Sequence, residues 1–288
     1  VQKTLLVFGL GYIGTYIAYC ALKRGYNVLG TTQTGFFNCE VSAAYAHINL
    51  SEINALAFTN FNQVIKRLEG PITHILVTIP PYQGKDRVLS TYQMHLKRNP
   101  SLQWVGYLST TGVYGDHKGA WVDEESPCYP SSLRTQERLS IEKEWLCTDL
   151  PIHIFRLSAI YGPHRNIIES LRNHTIQRIN KPGHFFSRIH RDDIAQALFN
   201  SMARPSKGEI YNLADDLPCS SQEVIEYVAH LYNLPLPPLV EYDGTILSEM
   251  TQSFYQDSRK VKNTKIKNAL GVKLYYPTYK TGMKNLCA

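Results

Sequence analysis

The sequence predicts an α/β fold, a doubly wound parallel sheet with a smaller C-terminal lobe, and three observations carry that expectation. Strand and helix signals alternate through the first half: strands at 4–8, 26–31, 45–50, 74–79 and 104–109, helices at 13–24, 52–57, 62–69, 86–98 and 132–148. Alternation of this kind builds a parallel sheet covered on both faces. The run Ile75-Leu76-Val77-Thr78-Ile79, bounded by Pro71 and Pro80-Pro81, is continuous and rich in β-branched residues, as a strand buried on both faces should be. Finally, Gly9-Leu10-Gly11-Tyr12-Ile13-Gly14 lies between the apolar run Thr4–Phe8 and a helix-like segment.

Each glycine of that turn has a physical task at a dinucleotide site. Gly9 permits the tight turn, Gly11 lets the backbone approach a pyrophosphate, and Gly14 lets the helix pack against the strand. The helix N-terminus, with Tyr12 and Ile13, adds free N–H groups and partial positive charge. A competing reading exists, because no side chain from Thr4 to Leu22 is charged and a signal peptide or membrane span shares that feature. Three glycines at cofactor spacing, and Tyr12, Tyr16 and Tyr19, fit a membrane helix less well.

Ile152–Leu157 reads as a sixth strand. Beyond it the pattern loosens. Helices are expected at Ile167–Ile179, Asp192–Ala203, 222–232 and Thr264–Leu270, with a strand at Glu209–Leu213. Ser220-Ser221 with Glu223 resembles a capping box, Leu234–Pro238 is a proline-rich loop, and Gly271 stops the last helix. The implied division is a dinucleotide-binding domain over 1–160, with 186–215 returning to it, and a small substrate lobe from 161–185 and 216–288.

Composition is that of a globular enzyme, with 43% hydrophobic and 19% charged residues in 288. The net charge of +6 is scattered, which argues against nucleic acid, and no later segment reads as a membrane span. None of the six cysteines forms a zinc-like array, so reduced thiols, no metal and a cytoplasmic setting are expected. Cys20 and Cys147 fall at helical positions suited to small buried residues. His47 and His74 read as structural, and Asp123-Glu124-Glu125 as a solvated loop.

The residue after the second strand selects the cofactor. The stretch Gly30-Thr31-Thr32-Gln33-Thr34 has no carboxylate to repel a 2′-phosphate, so NADP is expected ahead of NAD, with Thr32 and Gln33 as contacts.

Four motifs in order then carry a resemblance: the glycine turn, Ser109–Asp116 (STTGVYGD), Arg156–Pro163 (RLSAIYGP) and Ser187–Ala195 (SRIHRDDIA). The chain resembles the extended short-chain dehydrogenase/reductases of the NAD(P)-dependent epimerase/dehydratase group. The closing segments Ser253-Phe254-Tyr255 and Leu270–Tyr279 are similar to the atypical, YeeZ-like branch. The resemblance implies a Rossmann domain and a bound nicotinamide dinucleotide. It further implies a small polar substrate, such as a nucleotide sugar, and a possible homodimer.

Carried over by motif, the resemblance implies that Thr110 holds the reacting oxygen, with a hydroxyl satisfying the end of a strand as the alternative, and that Ile79, Pro80, Pro81, Ser109 and Ser158 pass the cofactor. The family's catalytic Tyr-x-x-x-Lys is absent: counting back from Glu142, the lysine position is Arg138 and the tyrosine position Arg134. Arg138 can still hold ribose or phosphate. Arg134 cannot exchange a proton near neutral pH. Tyr114, Tyr129 or Tyr161 are then the candidate proton carriers, and Tyr161, Arg165, Arg188 and His190 the candidate substrate contacts, with ion pairs to Asp192 or Asp193 as the alternative for the last three. Two functions stay open, an NAD(P)-dependent oxidoreductase or epimerase and a non-catalytic dinucleotide sensor.

Overall fold

In the computed structural model, residues 2–37, 39–45, 49–243 and 249–286 are described. The elements run β1 Thr4–Phe8, α1 Tyr12–Leu22, β2 Asn27–Thr32, α2 Cys39–Ala44, β3 Asn54–Ala57, α3 Phe61–Leu68, β4 His74–Val77, α4 Arg87–Arg98 and β5 Trp104–Thr110. They continue with β6 Trp121–Val122, α5 Leu133–Leu146, β7 Ile152–Leu157, β8 Ala159–Tyr161, α6 Ile168–Arg172, β9 Arg178–Asn180, β10 Arg188–His190, α7 Arg191–Ala203 and β11 Glu209–Leu213. The chain ends with α8 Ser221–Leu231, β12 Leu239–Glu241, α9 Glu249–Gln256, β13 Lys260–Val261, α10 Thr264–Leu270 and α11 Tyr279–Lys284.

Seven strands form one parallel sheet in the order β3-β2-β1-β4-β5-β7-β11. This is the expected doubly wound Rossmann arrangement. The order reverses between β1 and β4, and ligands of such sheets bind outside the carboxyl ends of the strands at that point. All five residues of β1 and all four of β4 are buried, which explains their apolar runs Leu5–Phe8 and Ile75–Val77.

The chain divides into two compact units. The first comprises Val1–Ser109, Ser140–Phe155 and Ala195–Ile210; the second comprises Thr110–Leu139, Arg156–Ile194 and Tyr211–Ala288. The core of the first gathers Leu6, Phe8, Val77, Tyr92, Tyr107 and Trp145. The core of the second gathers Tyr161, Leu171, Val224, Val228, Tyr279 and Met283.

The uncharged run 4–22 is therefore a strand, a turn and a helix. Its tyrosines belong to a side cluster: Tyr12 and Tyr16 pack on Tyr45, and the Tyr45 hydroxyl donates to the Tyr12 carbonyl at 2.6 Å. Among the described residues no helix is long and apolar enough to cross a membrane.

Three local expectations fail. The helix placed at 52–57 is a 3-10 turn at Leu50–Glu52 followed by β3. Asn54-Ala55-Leu56-Ala57 has weak strand propensity, but register with Leu29–Thr32 of β2 outweighs it. The strand placed at 45–50 is not formed where it is described, since Tyr45 closes α2 and Leu50 opens the 3-10 turn; residues 46–48, with His47, lie outside the described residues. The helix placed at Ile167–Ile179 stops at Arg172, because His174 takes a φ of 53° and the chain turns into β9. Cys147 is exposed just past the end of α5, whereas Cys20 is buried in α1. The capping box at Ser220–Glu223 is present, and Gly271 ends α10 in the left-handed region at φ 65°.

Asp86 is a joint of the first unit. One carboxylate oxygen accepts from Val88 N and Leu89 N at 2.8 Å each, capping α4, and the other accepts from Trp145 Nε1 at 3.2 Å. Asp86→Ala removes the cap and strands a buried indole N–H. It should destabilise the protein by about 2–4 kcal/mol, and Asp86→Asn by less, in urea denaturation.

Candidate dinucleotide and substrate sites

At the end of β1 the chain turns at Gly9 with φ 103°. Gly9 N donates to Thr31 Oγ1 at 3.2 Å, and Thr78 Oγ1 donates to Gly9 O at 2.6 Å, so the turn is tied to both neighbouring strands. A Cβ at Gly9 would lie 2.5 Å from Thr78 Oγ1. At Gly14 it would lie 2.0 Å from Gly9 O and 3.2 Å from Val7 Cγ1. These two glycines are required by the protein's own packing.

Gly11 differs. It is exposed, its φ of −88° suits any residue, and a Cβ there meets nothing within 4 Å. Neither conformation nor packing among the described residues demands glycine, but a ligand lying on the backbone would. Gly11 caps α1 without a side-chain hydrogen bond, and no acid stands in the first turn, so the helix itself brings no competing carboxylate to the N–H groups there. This chemistry fits a pyrophosphate. Next to it, Gln33 is exposed, Thr32 Oγ1 accepts from Gly35 N at 2.8 Å, Ile79 is half-buried and Pro80 exposed, with Pro81 following. Ser109 is buried, and its hydroxyl donates to Glu142 Oε1 at 2.5 Å.

In the second unit, Thr110 caps the 3-10 turn Thr111–Tyr114, its Oγ1 accepting from Gly112 N at 3.1 Å. Tyr114 is sealed: its hydroxyl donates to Asn212 Oδ1 at 2.8 Å, and Arg156 lies over its ring at 4.9 Å. Burial pushes its phenol up to about 12 despite Arg156. Tyr129 is 62% exposed, and its N–H donates to Tyr114 O at 2.9 Å. Gly115 keeps it there, since a Cβ at that position would stand 1.7 Å from Tyr129 O. On α5, Arg134 is exposed and Arg138 half-buried one turn later. Ser158 is buried at the end of β7, and its hydroxyl has no hydrogen-bond partner among the described residues.

Of the four expected substrate contacts, three share one cavity of about 270 Å³ that lies wholly in the second unit. Its lining includes Ala159, Tyr161, Arg165, Asn166, Arg188 and Ser221. His190 is outside that lining. It is buried, its Nδ1 accepts from Asp192 N at 3.2 Å, and its ring packs on Tyr161 and Tyr276. Its Nδ1 stands 3.7 Å from Asp192 Oδ2, but burial lowers the imidazole to about 4, so near neutral pH the ring is uncharged and the ion pair weighed for it is not made. Asp193 instead accepts from Tyr275 N at 2.6 Å and Tyr276 N at 3.2 Å. The acidic run is also more than a solvated loop: Glu124 Oε1 accepts from Asn212 N at 2.7 Å, and Asp123 pairs with Lys262 at 3.2 Å.

Sequence reasoning missed the cavity's far wall, Val224 on α8 and Met283 on α11, because nothing local links them to Arg165. It also missed Asn212 as the partner of Tyr114, and Asp215, which is buried with Oδ1 accepting from Leu217 N at 3.2 Å and Oδ2 unpartnered among the described residues. Among the described residues no group of three or more His, Cys, Asp or Glu could hold a metal ion.

No family model matches the chain. It is 25% identical over 236 residues to the protein YeeZ of Escherichia coli K12, covering 74% of this chain and 77% of that one. It is 24% identical over 201 residues to mouse dTDP-D-glucose 4,6-dehydratase, covering 66% of this chain and half the length of the mouse protein. Among solved structures, a functionally unknown conserved protein from Silicibacter pomeroyi is 42% identical, with a TM-score of 0.88 over 99% of this chain and 98% of that one. dTDP-glucose 4,6-dehydratase of Bacillus anthracis, in complex with NAD, is 18% identical and shares the fold, with a TM-score of 0.79 over 99% and 95% of the two chains.

The buried acids and imidazoles predict opposed pH dependences. Burial raises Asp215 to about 7, so the folded state holds its proton longer than the unfolded chain, and its contribution falls as pH rises from about 4 through 7. Burial lowers His74, His184 and His190 to about 4, so their contribution is complete above about 6.5 and lost as pH falls toward 4. Asp215→Asn keeps an acceptor for Leu217 N and removes the buried charge. Its stability relative to wild type should improve between pH 5 and pH 8, and a difference that is flat or reversed in urea titrations would refute the assignment.

Proposed function

We propose that the chain is an extended short-chain dehydrogenase/reductase of the epimerase/dehydratase group, in a YeeZ-like branch, and an enzyme that binds NAD(P) on the Gly9–Gly14 turn; its similarity to YeeZ and to dTDP-D-glucose 4,6-dehydratase supports the reading. It would modify a small polar substrate of the nucleotide-sugar kind. The observation that carries the reading is Gly11, whose missing side chain serves no contact or conformation among the described residues.

In this reading the N–H groups at the start of α1 hold the pyrophosphate. Gln33 and Thr32 meet the adenosine ribose, Ile79, Pro80 and Pro81 flank the dinucleotide, and Ser109, Ser158 and Arg138 stand on the nicotinamide side. The dinucleotide would supply a hydride acceptor and donor. The absence of a carboxylate after β2 favours NADP over NAD. Tyr161, Arg165 and Arg188 contact the substrate, and Thr110 orients its reacting oxygen.

For the proton we favour Tyr129 over Tyr114. A phenol that is buried, committed to Asn212 and pushed up to about 12 is poorly suited to proton exchange near neutral pH, whereas Tyr129 is open to solvent. Arg134 and Arg138 in place of Tyr and Lys favour a second reading, a protein that holds the dinucleotide without turning it over.

Gly11→Val should cost less than about 1 kcal/mol of stability yet weaken dinucleotide binding roughly tenfold or more in calorimetry. If neither NADP(H) nor NAD(H) raises the melting temperature of the wild type at millimolar concentration, the dinucleotide reading fails. With a panel of nucleotide sugars, Tyr129→Phe should lower turnover by about 10²–10⁴. A wild type that binds cofactor but never changes its oxidation state, and never alters a sugar, would favour the non-catalytic reading.

A further inference from the structure

We propose that Arg134 makes this chain selective for a substrate with a carboxylate on the carbon beside its reacting oxygen, the guanidinium taking the carboxylate while Thr110 takes the oxygen. The inference rests on reading Thr110 as the contact of the reacting oxygen, and it names the class of substrate that the dinucleotide would act on.

Arg134 carries most of the argument. It is the second residue of α5, and no acid stands in the first turn of that helix. Helix N-termini carry partial positive charge, so a cation there is disfavoured. No described residue offsets that cost: Arg134 is exposed, and its guanidinium makes no ion pair or hydrogen bond with a described residue, not even with Glu137 one turn on. The helix does not need it as a cap, because Ser132 N donates to Thr135 Oγ1 at 3.2 Å and Thr135 N donates to Ser132 Oγ at 3.3 Å. The loop before it is held as well, with the Ser131 hydroxyl donating to Asp257 Oδ2 at 2.9 Å. A cation that stands against the local field, on a turn that is fixed without it, breaks a local rule in the way binding residues do.

Thr110 brings the second donor. A Cβ at Gly112 would lie 2.9 Å from Thr135 Cγ2 and 3.3 Å from Thr110 Oγ1, so the first turn of α5 stands against the turn that Thr110 caps. Thr110 Oγ1 accepts from Gly112 N at 3.1 Å, and its own proton is committed to no described residue. A hydroxyl donor and a guanidinium are thus offered from adjoining turns. The arginine holds a fixed charge and cannot exchange a proton near neutral pH, so what it contributes is recognition. Its paired N–H groups match the two oxygens of one carboxylate. A carboxylate joined directly to the carbon beside the reacting oxygen puts both acceptors on neighbouring carbons, whereas a phosphate ester sets its charge one bridging oxygen further out.

The test titrates the full chain by calorimetry with D-gluconate, which has a hydroxyl on the carbon beside its carboxylate, and with D-sorbitol, in which that carboxylate is a neutral CH2OH. Inorganic phosphate is the control anion, and each titration is run with and without millimolar NADP(H) or NAD(H). Gluconate should bind saturably and roughly tenfold or more tighter than sorbitol. Arg134→Gln should weaken gluconate roughly tenfold and leave sorbitol unchanged, and Arg134→Lys, which keeps charge without the fork, should weaken gluconate by less. Arg134→Gln should melt no lower than the wild type, since it removes a cation from a helix N-terminus, and gluconate should raise the melting temperature of the wild type more than that of the variant. Unchanged gluconate affinity in Arg134→Gln, or phosphate binding as tightly as gluconate, would overturn the proposal. Wild type that takes dinucleotide but no gluconate would overturn this inference alone. Gluconate binding that depends on Arg134 in a chain that takes no dinucleotide would leave the inference standing and remove the dinucleotide reading.

Discussion

The contact between the carbonyl of Gly9 and the backbone at Gly14 governs the arrangement at the head of the sheet. A single methyl group at Gly14 would lie 2.0 Å from that oxygen, so α1 can approach β1 only without a side chain there. That approach fixes the turn at the place where strand order reverses, between β1 and β4. Thr31 on β2 and Thr78 just past β4 bond the two polar backbone atoms of Gly9. The direction of α1, and with it the direction in which its N–H groups point, therefore follows from three strands and one glycine.

What was legible in the sequence tracks how local its cause is. The glycine turn, the apolar strands β1 and β4, the capping box at Ser220 and the stop at Gly271 are set by neighbouring residues, and the sequence displays them. β3 was not legible, because Asn54-Ala55-Leu56-Ala57 becomes a strand only through pairing with β2. The break at His174 was hidden for a related reason: a positive φ at a non-glycine residue leaves little mark on a helical pattern. In the second unit the short strands β6, β8, β9, β10, β12 and β13 pair across long stretches of chain, and two or three residues carry no readable period.

The same division runs through the site residues. Gly9, Gly11 and Gly14 could be named from spacing because one turn contains them. Tyr161, Arg165 and Arg188 could be named from motif order, yet nothing in the sequence shows that they share a cavity while His190, two residues past Arg188, sits outside its lining. Alternation along β10 does not separate them, because Arg188 and His190 share a parity; the packing of the His190 ring on Tyr161 and Tyr276 does.

Tyr114 shows why a motif position and a chemical role must be weighed separately. The VYG motif suggests a phenol near the chemistry, but here that phenol closes a buried network. Asn212 accepts its proton, Glu124 accepts from the backbone of Asn212, and Arg156 covers the ring. Burial makes the phenolate costly, which leaves Tyr114 as a fixed point for the chain on either side of it. Its carbonyl then holds the N–H of Tyr129, and Gly115 leaves room for the Tyr129 carbonyl. A tyrosine unsuited to carry a proton thus sets the position of one that is open to solvent. With arginines at 134 and 138, the chain's proposed chemistry depends on that second tyrosine, on a loop that the buried network keeps in place.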